Sequence, residues 1–238
     1  LAQERIRSVE WAQFEGRRPR LAGCNARLGE HGIAVRPAFA RITTESGVSG
    51  FGFSRGTKEQ AGRLIDRRLG DLFSMESGTQ AAGLPFDFAL WDLAGNLVGQ
   101  PVYRLAATVQ GMTADQPLRV PCYDTSLYID DLHLDSDEAA AELIAGDARY
   151  GYEHTHRSFQ ITVGRGARHL PLEAGTVRDI GVIRAVRAAA GPDATIMIDA
   201  NNGYNLNLVK RVLTETAECN LFWVEEPFHE DSVLYEDL

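Results

Sequence analysis

Cysteine is scarce in this chain. There are three in 238 residues, Cys24, Cys122 and Cys219, far apart, odd in number and in no CxxC pair. That excludes a disulfide framework and fits buried or incidental thiols in a reducing compartment. Long hydrophobic runs are also missing: no stretch approaches the ~18 apolar residues of a membrane span. Glu4, Arg5 and Arg7 are followed by no apolar h-region. No signal peptide is therefore expected, and the cytoplasm is the expected location. Positive charge is in deficit, with 24 Lys and Arg against 33 Asp and Glu, a net charge of −9. The acidic excess is spread along the chain as a solvated surface, which argues against nucleic acid and anionic membrane as partners. No nucleotide-binding glycine loop follows a strand. "GRGARH", Gly164 to His169, is neither GxGxxG nor a Walker loop.

What is present is ordinary globular material, 44% hydrophobic and 24% charged, long enough for one large domain or two. In the first third, "RIRSVEWAQF" and "AVRPAFARITT" read as strands, and "ESGVSGFGF" as a turn leading into a third. "TKEQAGRLIDRRLGDLF" reads as a helix. "PFDFALWDLAGNLVGQPVYRLA" is the clearest helix, with Phe86, Ala89, Leu90, Leu93, Ala94 and Leu97 on one stripe. Pro85 stands near its start, and Gly99 and Pro101 stop it. After "MTADQPLRVP" the grammar becomes alternating. "RVPCYDTSLY", "SFQITVG", "TIMIDAN" and "LFWVEEPF" are strands. Between them lie helices over "SDEAAAELIAGDARYGY" (N-cap Ser136), "PLEAGTVRDIGVIRAVRAAAG" (Val182, Ile183 and Val186 inward) and "NLNLVKRVLTETAEC" (N-cap Asn205). Alternation of this kind predicts βαβ units and a parallel sheet with right-handed crossovers. The expected division is residues 1–118 as an α+β domain and 119–238 as four βα units. A (β/α) barrel is favoured over a nucleotide-binding sheet. A barrel needs eight strands, so the chain is expected to be a truncated record of a longer polypeptide, or to be completed by another copy. It opens on Leu1, so preceding residues are also expected.

Asp199 and Glu225 are the chemical signal. Each stands at the C-terminal end of an apolar strand, about one βα unit apart, where both strands open on the same face. Two carboxylates there repel unless a cation lies between them, and oxygen ligands suit Mg²⁺ or Mn²⁺. The bland alternative is that Asp199 caps a turn and Glu225 pairs with a basic neighbour.

"IMIDANNGYN" followed by "FWVEEP" resembles the mandelate racemase/muconate lactonizing group of the enolase superfamily. "FDFALWDLAGNLVGQPVYRLA" is similar to the helical part of that family's N-terminal capping domain, and "ITVGRGARHLPLEAGTVRDIGVIRAVRAA" to its second barrel strand and helix. The resemblance implies an α+β cap over the mouth of a modified TIM barrel. It also implies Mg²⁺-assisted abstraction of a proton α to a carboxylate, with a metal-stabilised enediolate. On that resemblance Asp199 and Glu225 are metal ligands and Asn201 supports substrate. The third carboxylate ligand and the His/Asp base pair fall beyond Leu238. The implied partner is a small carboxylate substrate, and a homo-oligomer is expected.

One departure bears on mechanism. The family's Lys-x-Lys pair corresponds to Gln160 and Thr162 here, and neither accepts a proton near neutral pH. Three explanations stand. A base from the missing half acts alone, Arg165, His169 or another local group substitutes, or the copy has lost activity and keeps the scaffold. The first tilts the expectation from racemase toward a sugar-acid dehydratase. Arg165 is also a candidate contact for a substrate carboxylate. The "HTH" at His154–His156 is a poor metal face. Glu226 is a candidate support for the metal shell. Tyr123 and Asp124 are candidate lining residues. Residues 16–32, with Arg17, Arg18, Arg20 and Arg27, correspond by resemblance to a loop that closes over the barrel mouth and favours an acid.

Overall fold

The computed structural model describes residues 1–114 and 116–238; Asp115 lies outside the described residues. The chain divides into two compact units, Leu1–Arg17 with Ala34–Val120, and Arg18–Ile33 with Pro121–Leu238. The sequence reading had one contiguous boundary at 118/119. The segment Arg18–Ile33 groups with the second unit because its backbone and side chains bond there, as described below.

In the first unit β1 (Ile6–Gln13) lies at one edge of an antiparallel sheet. The polar stretch expected to be loop from residue 16 begins instead as β2 (Gly16–Ala22), paired with β3 (Gly32–Val35); of this pair Arg18–Ala22 and Gly32–Ile33 count with the second unit. The run expected as one strand over "AVRPAFARITT" is divided at Arg36–Pro37, so that β4 (Ala38–Thr44) starts anew between β1 and β5 (Ser49–Phe53). Proline has no N–H to give to a ladder, which accounts for the break.

The helix expected over "TKEQAGRLIDRRLGDLF" is short. A Thr57–Gln60 capping box starts α1 (Lys58–Gly62). It ends because Leu64, Leu69 and Leu72 are all buried through irregular turns, with Asp66 at φ 62° and a single 3₁₀ turn at Leu69–Asp71. A small ladder of β6 (Phe73–Ser74) and β7 (Gly78–Thr79) follows. The apolar stripe then builds α2 (Asp87–Val98), with Ala89, Leu90, Leu93 and Ala94 buried. Pro85 sits in the 3₁₀ turn before it. Gly99 ends it at φ 67°, and Pro101 starts a separate α3 (Val102–Val109).

The second unit holds a parallel sheet of β8 (Asp124–Leu127), β9 (Ser158–Thr162), β10 (Thr195–Asp199) and β11 (Val224–Glu225), each neighbouring the next in sequence order. The crossovers carry α4 (Asp137–Glu153), α5 (Leu172–Ala190) and α6 (Leu206–Glu215), and α7 (Ser232–Asp237) follows β11. Ser136 and Asn205 cap as expected, accepting from Ala139 N at 3.0 Å and Leu208 N at 3.0 Å. The α+β unit followed by a parallel β/α sheet is the expected fold class. One face of the sheet, with Phe159, Ile161, Ile196 and Ile198, joins a core shared with Ile144, Ile183, Val186 and Val209 from the helices. The other face curls on itself. Tyr123, just before β8, meets Trp223, just before β11, edge to face at 5.5 Å although two strands lie between them. Among the described residues no helix is long and apolar enough to cross a membrane.

Candidate active site

Alternation along β9 and β10 sends Gln160, Thr162, Met197 and Asp199 to the curled face, away from the helices. In register, Gln160 stands beside Met197, Thr162 beside Asp199 and Asp199 beside Glu225. The two acids expected as a pair are therefore side by side at the C-terminal ends of adjacent strands. The turn after β10 holds them in place. Asn201, at φ 44°, donates its backbone N–H to Asp199 Oδ1 and its side-chain amide to Oδ2, both at 2.8 Å. Burial pushes the Asp199 carboxyl up; the Asn201 N–H groups pull it back, and the neighbouring charges of Glu225 and Glu226 raise it further. Glu225 is exposed and accepts a hydrogen bond from the Gln160 amide. Glu226, at φ 40°, accepts from Asn202 N through its carbonyl at 2.6 Å.

These donors fit a hard divalent cation as two of its corners. They are carboxylate oxygens on one face, crowded by like charge, and burial raises the Asp199 carboxyl. Among the described residues no three His, Cys, Asp or Glu side chains converge as a metal cage. Further oxygen ligands must come from water, substrate or groups beyond this pair.

Arg165 requires correction. It was expected to meet substrate, but it is fully buried with Asp131 and Asp179. Its guanidinium bonds Asp131 at 2.6 and 3.0 Å and Asp179 at 2.8 Å. Burial works against its charge, but the two carboxylates outweigh that and hold it protonated. Asp179 also accepts from Gly164 N at 2.9 Å and from Tyr204 OH at 2.8 Å. Burial beside Asp179 raises the Tyr204 phenol well above its usual range, so it donates. The network ties the loops after β8, β9 and β10 to α5. Sequence reasoning missed Asp131, Asp179 and Tyr204. One signal was available: Asp179 precedes Val182 and Ile183 by three and four residues, on the inward stripe of its helix.

Asp124 is likewise not a lining residue. It pairs in register with Phe159, faces Gly151 of α4, and accepts from Ser126 N at 2.9 Å. Thr125, which the sequence reading passed over, is the residue on the inner side. Its hydroxyl donates to Gln160 Oε1 at 2.9 Å. His154 bonds its own helix through Tyr150 O at 2.8 Å.

Residues 23–31 form the loop proper, seated on the strand ends. Cys24 and Ile129 exchange backbone hydrogen bonds at 3.1 and 3.0 Å. Ala26 is buried against Gly164, where φ is +91° and a side chain would also strike Ala200 O. Arg168 donates to Arg27 O at 2.5 Å, His169 contacts Asn25 O at 2.8 Å, and Arg27 Nη2 reaches the His229 ring nitrogen Nε2 at 2.5 Å. Arg20, expected to be available to an acid, is engaged by Asp130 and by Asp147 at 3.0 Å.

Residues 139–238 match the enolase C-terminal domain-like family. Two crystal structures of galacturonate dehydratase from a Geobacillus species are similar over 100% of this chain at 45% identity. A mutant complexed with Mg superposes with a TM-score of 0.93 over 61% of that chain. A complex with D-galacturonate and 5-keto-4-deoxy-D-galacturonate superposes at 0.91 over 62%. The L-talarate/galactarate dehydratase of Salmonella typhimurium is 26% identical over 212 residues, which is 79% of this chain and 48% of the relative. The chain thus spans about half the length of that curated relative.

Proposed function

From a chain that belongs to the enolase superfamily, among the mandelate racemase/muconate lactonizing-like proteins, we propose a Mg²⁺-dependent lyase acting on a sugar acid of the D-galacturonate type. The observation that carries the reading is the register of Asp199 beside Glu225 on the polar inner face of the sheet. The 45% identity to galacturonate dehydratase over the whole chain supports the substrate class.

In the proposed reaction the C5 proton, α to the carboxylate of the sugar acid, leaves with the C4 hydroxyl. One water is lost, and the resulting enol tautomerises to the 5-keto-4-deoxy acid. Asp199 and Glu225 would hold Mg²⁺, or Mn²⁺ in its place. Bound there, the cation would grip the substrate carboxylate and take up charge as the α-proton leaves. Asn201 keeps both Asp199 oxygens aimed. Thr162, level with Asp199, puts a small hydroxyl where the family's lysine would project. Neither Gln160 nor Thr162 takes the proton, since an amide and an alcohol have no basic pKa in range. This reading places the proton acceptor in the part of the fold that the relatives possess and these 238 residues do not span. A one-sided acceptor suits elimination better than racemisation, which needs a group on each face.

The absence of a base at Gln160 and Thr162 also favours a second reading, a scaffold that binds the cation without turnover. The discriminating assay supplies D-galacturonate and Mg²⁺ and follows the keto-deoxy product, with α-proton exchange in D₂O in parallel. Turnover that falls by at least about a hundredfold in Asp199→Asn and Glu225→Gln supports the lyase. Metal binding with neither product nor exchange supports the scaffold.

A further inference from the structure

We infer that Gln160 is a positioning residue whose amide, oriented by Thr125, holds the Glu225 carboxylate in its cation-binding orientation. The inference rests on the reading of Asp199 and Glu225 as a metal pair.

Glu225 is exposed at the end of a two-residue strand, and its side chain has several rotatable bonds. Gln160 is 6% exposed. Its side chain leaves the inner face of β9, crosses β10 and donates through Nε2 to Glu225 Oε2. At the other end Thr125 Oγ1 donates to Gln160 Oε1 at 2.9 Å. An amide has one donor end and one acceptor end, and an ionised carboxylate only accepts. The NH₂ must therefore face Glu225, which leaves the oxygen to Thr125, whose hydroxyl can donate. The two bonds select the same amide orientation, and a reversed amide would set its oxygen against the carboxylate. Gln160 occupies one Glu225 oxygen and leaves the other free to bind a cation. The donor is neutral, so it orients Glu225 without itself neutralising the pair. Position 160 thereby serves the cation rather than proton transfer.

Mg²⁺ titration by calorimetry, with Mn²⁺ competition, tests this on the wild type, Gln160→Ala, Thr125→Val, Glu225→Gln and the Gln160→Ala/Glu225→Gln double variant. Partners that orient metal ligands elsewhere change affinity by 10–100-fold. Gln160→Ala is expected to weaken Mg²⁺ about tenfold and Thr125→Val by less. In the Glu225→Gln background Gln160→Ala should add nothing. Thr125→Val keeps the shape of the side chain, so it reads the amide's orientation even where Gln160→Ala disturbs packing. Wild-type binding that depends on Glu225, with both variants binding as tightly, overturns the inference and leaves the metal pair standing. No wild-type binding, or binding indifferent to Glu225→Gln, overturns the metal reading and this inference with it.

Discussion

At the residue scale the molecule treats its charges in two opposite ways. Arg165 is sealed between Asp131 and Asp179, and each of its three guanidinium nitrogens finds a carboxylate. Removing one partner from such a buried set leaves uncompensated charge, at a cost of about 3–5 kcal/mol. Arg165→Met is therefore expected to be strongly destabilising in urea unfolding, and Arg168→Met, on an exposed side chain, close to neutral. Among the described residues Asp199 and Glu225 bond only neutral donors, Asn201 and Gln160. Asp199→Asn is expected to raise the thermal midpoint of the metal-free protein, because it removes an acid that burial disfavours as an anion, and to abolish the stabilisation by Mg²⁺. A lower midpoint without metal would contradict that account.

At the element scale, caps and close approaches set the positions of the loops. Ser136→Ala deletes the bond to Ala139 N and is expected to cost about 1 kcal/mol in a denaturant midpoint. Asn205 caps α6 directly after the 200–204 turn, so Asn205→Ala should cost a similar amount and weaken Mg²⁺ binding as well. Gly164→Ala introduces a Cβ at positive φ, 2.8 Å from Ala26 and 2.9 Å from Ala200 O. It is expected to loosen residues 23–31, read as faster tryptic cleavage after Arg27. These elements also mark what was legible locally. Ser136, Asn205, Gly99 and the stripe on α2 act over three or four residues, and the sequence shows them directly. The helix expected after Thr57 failed because buried contacts of Leu64, Leu69 and Leu72 overrode local propensity.

At the scale of the whole molecule the Asp199–Glu225 pair links stability to pH and to metal. A carboxyl raised in the folded state keeps a proton that the unfolded chain has released. Stability of the metal-free protein should therefore fall as pH rises from the ordinary carboxylate value through the raised one, and level off above it. Mg²⁺ at a hundred times its Kd should return about 2.7 kcal/mol. Asp199→Asn should flatten the acid-side slope in a thermal-shift series.

The sequence by itself determined the alternation of strands and helices in the second unit and the identity of the two acids at their ends. Both are carried by short-range period and by strand termini. Only the tertiary structure decided what those residues face. It buried Arg165 between acids 34 and 14 residues away, turned Asp124 toward a helix and Thr125 inward, and placed Gln160 against Glu225 across an intervening strand. The reason is that curvature of the sheet and pairing of distant loops set side-chain partners. Neither leaves a periodic trace in the chain.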